Sequence, residues 1–196
     1  MRAIKHLILI VVAAVLVAVA LLPVSRTRAQ STKLPKSIFI QATAMGQSQQ
    51  LGRMFSVNIH INELSTPEDQ KALLEAFGSK GNEGLVNALS KMTAKGRIAI
   101  TGTLGYDVNY IRSFKQPDGT TKIRLVTDRP IRFGEAWSDS RSSDYNLSGL
   151  EITLSPDKKK NEGVLLPACQ FKLDKENNLQ IEAFENPWKL TNIMRR

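Results

Sequence analysis

The feature that most constrains this chain is a two-residue rhythm interrupted only once. Phe55, Val57, Ile59 and Ile61 alternate with Ser56, Asn58, His60 and Asn62, the signature of a strand with one buried and one wetted face. Ile38-Phe39-Ile40, running on to Met45, reads as the strand before it. From Arg97 onward strand follows strand. Ile98, Ile100 and Leu104 lead into Gly105, and Tyr106, Val108, Tyr110, Arg112 and Phe114 fall on one face by period two. Pro117-Asp118-Gly119 supplies a turn, because proline fixes φ and glycine tolerates a positive φ. Ile123–Val126 then returns as a partner strand, which makes 104–127 a hairpin. Further strands are expected at 146–154, 163–173 and 178–184, with Asp174, Asn177 and Asn178 in the turn at 174–178.

The interruption is helical. Ser65-Thr66-Pro67-Glu68 sets cap-type residues before a proline, with a glutamate three places after Ser65. Leu73, Leu74 and Phe77 follow at helical spacing up to Gly78, and Leu85, Val86, Leu89 and Met92 form a second stripe that Gly96 closes. Strands with a single helical interruption predict an α+β fold. The expected form is an antiparallel β-sandwich or open barrel with a helical hairpin inserted at about 65–94. The helices should cover the sheet through Leu73, Phe77, Leu85 and Leu89. A parallel βαβ array is the alternative, but it lacks helices for its crossovers.

The first 29 residues obey a different logic. Arg2 and Lys5 precede an unbroken apolar run of 16 residues, Leu7 to Leu22. Pro23 ends that run, and Thr27-Arg28-Ala29 places small residues where a signal peptidase cuts. This layout predicts a signal peptide over 1–29, a flexible lead-in over 30–36, and one β-rich domain over 37–196. A periplasmic or secreted protein follows. The competing reading is a retained N-terminal anchor, the only form in which the protein would engage a membrane. Removing 1–29 takes away Arg2, Lys5, Arg26 and Arg28, so the net charge falls from +9 to +5. That charge is ordinary for a soluble domain. The one basic run, Lys158-Lys159-Lys160, lies among Pro156, Asp157, Asn161, Glu162 and Gly163, so it reads as a loop tip and no nucleic-acid partner is expected.

Few residues suit catalysis. Cys169 is the sole cysteine, and His6 and His60 are the only histidines. A disulfide framework, a multi-cysteine zinc site and a multi-histidine metal centre are therefore excluded, and no cofactor or metal is expected. His60 falls on the wet face of its strand. Cys169 shares parity with Phe171 and Leu173 and reads as a buried hydrophobe. The glycines of Thr101–Tyr106 lack the following helix that a phosphate loop needs, so they mark a bend. The aromatic face of Tyr106, Tyr110 and Phe114 is expected to be half of a core, and would suit sugar rings only if exposed.

The densest polar stretch is Thr127–Tyr145. Arg129, Arg132, Trp137, Arg141 and Tyr145 are the ligand-binding candidates, with arginine forks for an anion and an indole platform. Asp128 and Glu135 form the carboxylate pair of an alternative reading, a glycosidase-like hydrolase. The segment is expected to be structural before it is functional, a salt-bridge network that holds the loop against the sheet with Arg141 as the partner of Asp128, Glu135 or Asp144. Pro130 should keep the chain extended, so that Ile131 and Phe133 pack inward and Arg132 points out. The words Thr127-Asp128-Arg129-Pro130-Ile131, Gly134-Glu135-Ala136, Arg141-Ser142 and Asp144-Tyr145 resemble a pattern in exported bacterial proteins of unassigned function. The likeness covers about residues 95–170 and implies an exported β-rich protein, with no activity attached. The functional expectation is a non-enzymatic exported protein that binds a small ligand, a glycan or a cell-envelope partner.

Overall fold

The computed structural model describes residues 37–132, 145–185 and 187–196. The expected signal peptide and lead-in lie outside them. The elements in order are β1 (Ile38–Gly46), β2 (Met54–Ile61), α1 (Pro67–Leu89), β3 (Gly96–Ile100), β4 (Tyr106–Val108), β5 (Tyr110–Lys115), β6 (Thr121–Thr127), β7 (Leu147–Leu154), β8 (Glu162–Leu173), β9 (Leu179–Glu185) and β10 (Trp188–Arg195). Every strand pair among them is antiparallel.

The strands make one sheet in the order β4-β3-β2-β1-β10-β8-β7-β6-β5, with β9 alongside β8. Its two edges, β4 and β5, are consecutive pieces of chain separated by Asn109 alone. Before Asn109 the chain pairs with β3, and after it with β6. The Asn109 N–H donates to Val126 O at 3.2 Å, and the Lys95 N–H donates to Val108 O at 2.7 Å. One stave thus serves both edges, and the sheet curls into a nearly closed barrel. This replaces the sandwich alternative, which needs two sheets. The hairpin expected over 104–127 is shorter than that, because 106–108 (β4) pairs with β3 and only β5 and β6 face each other around Gly119, at φ +81°.

The barrel has two apolar layers. Ile40, Ile59, Ile98, Leu125, Leu150, Leu165 and Trp188 fill the interior and are 0–1 % exposed, as expected for a small barrel filled by its own side chains. A second cluster lies on the outer face of β5–β9 beneath α1, where Leu73, Leu85 and Leu89 meet Tyr110, Val126, Leu147, Leu166, Cys169 and Phe171. Residues facing both ways are apolar here because both faces are covered. Strand parity changes at Asn109: Val108 belongs to the interior and Tyr110 to the outer layer, while Ile111 again faces inward. The single aromatic face expected from period two is therefore split. Tyr106 packs on the interior, whereas Phe114 stays on the half-exposed outer surface, with the Arg112 and Arg124 guanidiniums 5.8 and 5.4 Å from its ring centre.

The helical segment begins one residue later than the sequence pattern suggests. Thr66, not Ser65, is the N-cap, and its box partner is Asp69, not Glu68: Thr66 Oγ1 accepts from Asp69 N–H at 3.2 Å, and Asp69 Oδ2 from Thr66 N–H at 2.8 Å. Ser65 instead acts as a strand partner, exchanging bonds with the Ile111 backbone at 2.8 and 2.9 Å. Gly78 does not end the helix. The break comes at Lys80 and Gly81, and helical structure stops at Leu89. Lys95, 7 % exposed, ties the helix start to the barrel by pairing with Glu63 at 3.0 Å and Asp69 at 3.2 Å.

Candidate functional site

Alternation of strand direction places two sets of connections at opposite ends of the barrel. The upper rim carries 47–53, 101–105, the described residues 128–132 and 145–146, and the 174–178 turn. The lower rim carries the 62–95 connection, 116–120, 155–161 and the end of β10.

Of the sequence-derived candidates, Asp128, Arg129, Arg132 and Tyr145 are described, and they lie at the upper rim. Pro167 has no N–H to offer the β7–β8 ladder, whose register shifts between Leu147 and Gly149. Ser148 fills the gap: its Oγ accepts from Ile131 N–H at 2.6 Å and lies 2.6 Å from Pro167 O and 3.0 Å from Arg129 O. Thr127 Oγ1 donates to Arg129 O at 2.5 Å. The hydroxyl of Tyr106 clasps the Arg132 backbone, donating to its carbonyl at 2.7 Å and accepting from its N–H at 2.8 Å. These bonds seat Ile131, 0 % exposed, in the interior core and leave Arg132 on the surface, as expected.

The charges there are satisfied as well. Asp128, 9 % exposed, receives a bidentate fork from its own neighbour, with Arg129 Nε and Nη2 at 2.8 and 2.9 Å from its two oxygens. Hydrogen bonding to that carboxylate, backed by its charge, raises the Arg129 pKa above the ordinary value. The partner of Asp128 in the described structure is therefore Arg129, where sequence reasoning had offered Arg141. Both oxygens of the Asp128 carboxylate are thus engaged by the arginine fork. Tyr145 is half-buried just before β7. Glu135, Trp137 and Arg141 lie outside the described residues, as do Phe133 and Asp144.

The lower rim holds a cavity of about 770 Å³, within the range of ligand sites. Leu154, Pro156, Ile193 and Met194 supply its apolar surface, and Lys158, Lys159, Arg195 and Arg196 supply four cations. Among the described residues no acidic side chain lines it. Asp157 is adjacent, but it caps the 158–160 turn by accepting from Lys159 N–H at 3.1 Å. Asn161 fastens the β7–β8 turn to β10: its Oδ1 accepts from Ser155 N–H at 2.8 Å and its Nδ2 donates to Ile193 O at 3.2 Å. Among the described residues, none of the four cations forms an ion pair.

Sequence reasoning missed this site for two reasons. The lysine run reads as a solvated tip, and it is one, in an exposed turn. The strand that brings Arg195 and Arg196 to it was not anticipated at all. A signal did exist: Trp188, Leu190 and Ile193 are an apolar series with one misplaced step.

Cys169 and His60 lie on β8 and β2, and neither lines the lower-rim cavity. Burial drives the Cys169 thiol far above its ordinary pKa, which makes it a poor nucleophile. His60 is exposed, its ring 4.7 Å from that of Phe39. Among the described residues no cluster of three His, Cys, Asp or Glu side chains is placed to hold a metal. No described helix is long and apolar enough to cross a membrane. Comparison with protein-family models, curated proteins and solved structures finds no match.

Proposed function

We propose that this chain is an exported, non-enzymatic barrel that binds a small ligand at its lower rim, a glycan or a cell-envelope partner being the other occupants of such a role. The observation that carries the reading is the lower-rim cavity, where apolar side chains adjoin four cations that form no ion pair among the described residues. Such mixed concave surfaces are the usual form of a ligand site. The signal-like layout of 1–29 supports export. Asp128 in its arginine fork argues against the hydrolase alternative. In the same proposal α1 works as a helical hairpin that clamps the outer face. The bend at Lys80–Gly81 supports this, as does Gly84, where a Cβ would lie 2.0 Å from Ala76 O. So does Asn82, whose amide exchanges bonds with the Phe171 backbone at 2.7 and 3.0 Å.

A thermal-shift screen of small molecules and glycans on the wild type and on Met194→Trp tests the reading. Met194 is half-exposed in the cavity, so an indole there occupies ligand space without disturbing the core. A ligand that binds only the folded state raises the melting temperature. The proposal requires shifts in the wild type that Met194→Trp abolishes. Shifts that survive Met194→Trp but vanish in Arg129→Ala would move the site to the upper rim.

A further inference from the structure

The structure points to an amphipathic anion as the ligand of the lower-rim cavity, and we propose a carboxylate or phosphate ester head carried on an apolar body. The inference rests on the cavity being the binding site and adds the class of molecule it takes. Two features argue for it together. The four lining cations come from two separate elements, Lys158 and Lys159 from the β7–β8 turn and Arg195 and Arg196 from the end of β10. They therefore adjoin the apolar surface of Leu154, Pro156, Ile193 and Met194 from two elements, with no acidic side chain among the described lining residues. Unneutralised positive charge next to uncovered apolar surface matches a ligand with both an acidic and an apolar part. A simple inorganic anion would leave the apolar half unused, and a neutral ligand the charged half.

The second feature is a backbone irregularity that builds this arrangement. The β1–β10 register shifts between the pairs Gln41↔Met194 and Thr43↔Thr191, and Asn192 on the long side has φ +50°. Asparagine is one of the few residues that tolerate this left-handed geometry. Counting by twos from the buried Leu190 would turn Asn192 and Met194 to the interior. The bulge reverses that parity: Ile193 is 5 % exposed in the core, Met194 is 51 % exposed, and Arg195 shares the Ile193 face at the cavity mouth. Bulges that re-aim side chains occur characteristically beside functional sites. The cost of the left-handed residue thus has a product, a cation over an apolar floor.

The test is calorimetric titration of the purified protein with compounds of one chain length: octyl phosphate, octanoate, octanol, octyltrimethylammonium and, without the chain, inorganic phosphate. Octyl phosphate and octanoate are expected to bind, with inorganic phosphate and octyltrimethylammonium at least about tenfold weaker. Lys158→Gln with Lys159→Gln, and separately Arg195→Gln with Arg196→Gln, should each weaken octyl phosphate by about tenfold and leave octanol unchanged. Raising the salt should weaken the anionic compounds only. Octanol binding as tightly as octyl phosphate, in a manner blocked by Met194→Trp, overturns the anionic class and leaves the cavity as the site. Octyl phosphate binding that Met194→Trp does not affect overturns both. Sedimentation with phosphatidylglycerol vesicles separates a free amphiphile from a lipid surface. Pelleting of the protein without octyl phosphate binding would overturn the proposal.

Discussion

The two rims of this barrel are built from similar residues and end up in opposite states. At the upper rim Asp128 and Arg129 neutralise each other, Ser148 and Tyr106 hold the backbone, and Ile131 plugs the interior. At the lower rim Lys158, Lys159, Arg195 and Arg196 surround an open cavity and pair with no described carboxylate. The difference shows that density of charge along a sequence does not locate a site. Charges of both signs, close in sequence, satisfy each other. Charges of one sign, brought together from distant elements, remain available.

The comparison is broken most severely by disturbing the upper rim. Ile131→Ala removes a fully buried side chain from the interior core and should cost about 2–5 kcal/mol, read as a fall in the urea midpoint. A cost near zero would mean that Ile131 does not pack in the interior core. Ser148→Ala deprives Ile131 N–H of its 2.6 Å acceptor and leaves the buried carbonyls near it less satisfied. The expected loss is about 1–3 kcal/mol. A neutral result would mean that Ile131 N–H is served by Pro167 O alone, 2.9 Å away.

A smaller effect concerns the bond between helix and barrel. Burial alone would lower the Lys95 pKa, but the hydrogen bonds and charges of Glu63 and Asp69 outweigh it and raise the value above the ordinary 10.5. A raised folded pKa means that this contribution to stability is complete below 10.5 and is lost as pH climbs through the raised value. Wild type should therefore exceed Lys95→Met in stability at neutral pH, and the gap should close in unfolding curves recorded above about pH 10.5. A gap that does not change with pH would remove the ion triad from the account. The smallest effect belongs to the lower rim, where Arg195→Gln with Arg196→Gln should leave stability within about ±0.5 kcal/mol. A large loss there would make these arginines scaffold, as Arg129 is.

Much of the fold was legible where one face of a strand is wet. Phe55–Ile61 alternates cleanly because Ser56, Asn58 and His60 lie on the side away from the core, and β2 begins only one residue earlier. The turns at 117–119 and 174–178 carried their own chemistry, with Gly119 at φ +81° and Asn177 at φ +57°. What escaped is what depends on distant partners. Nothing local to Asn109 says that the chain changes neighbours there, so the parity of Tyr110 was misassigned. β10 was missed because the bulge at Asn192 separates Leu190 from Ile193 by three residues and spoils the period. The candidate site suffered most. Its halves, 154–161 and 192–196, meet only when β8 and β10 pair.

The proposed ligand site lies at the lower rim, and the described upper-rim residues are scaffold. Backbone amide NMR of the isotopically labelled protein, titrated with octyl phosphate, tests it most directly. Shifts are expected to concentrate at 154–161 and 192–196, with 127–132 and 145–148 unmoved. Shifts centred on Asp128, Arg129, Arg132 and Tyr145, with Lys158 and Arg195 silent, would contradict it.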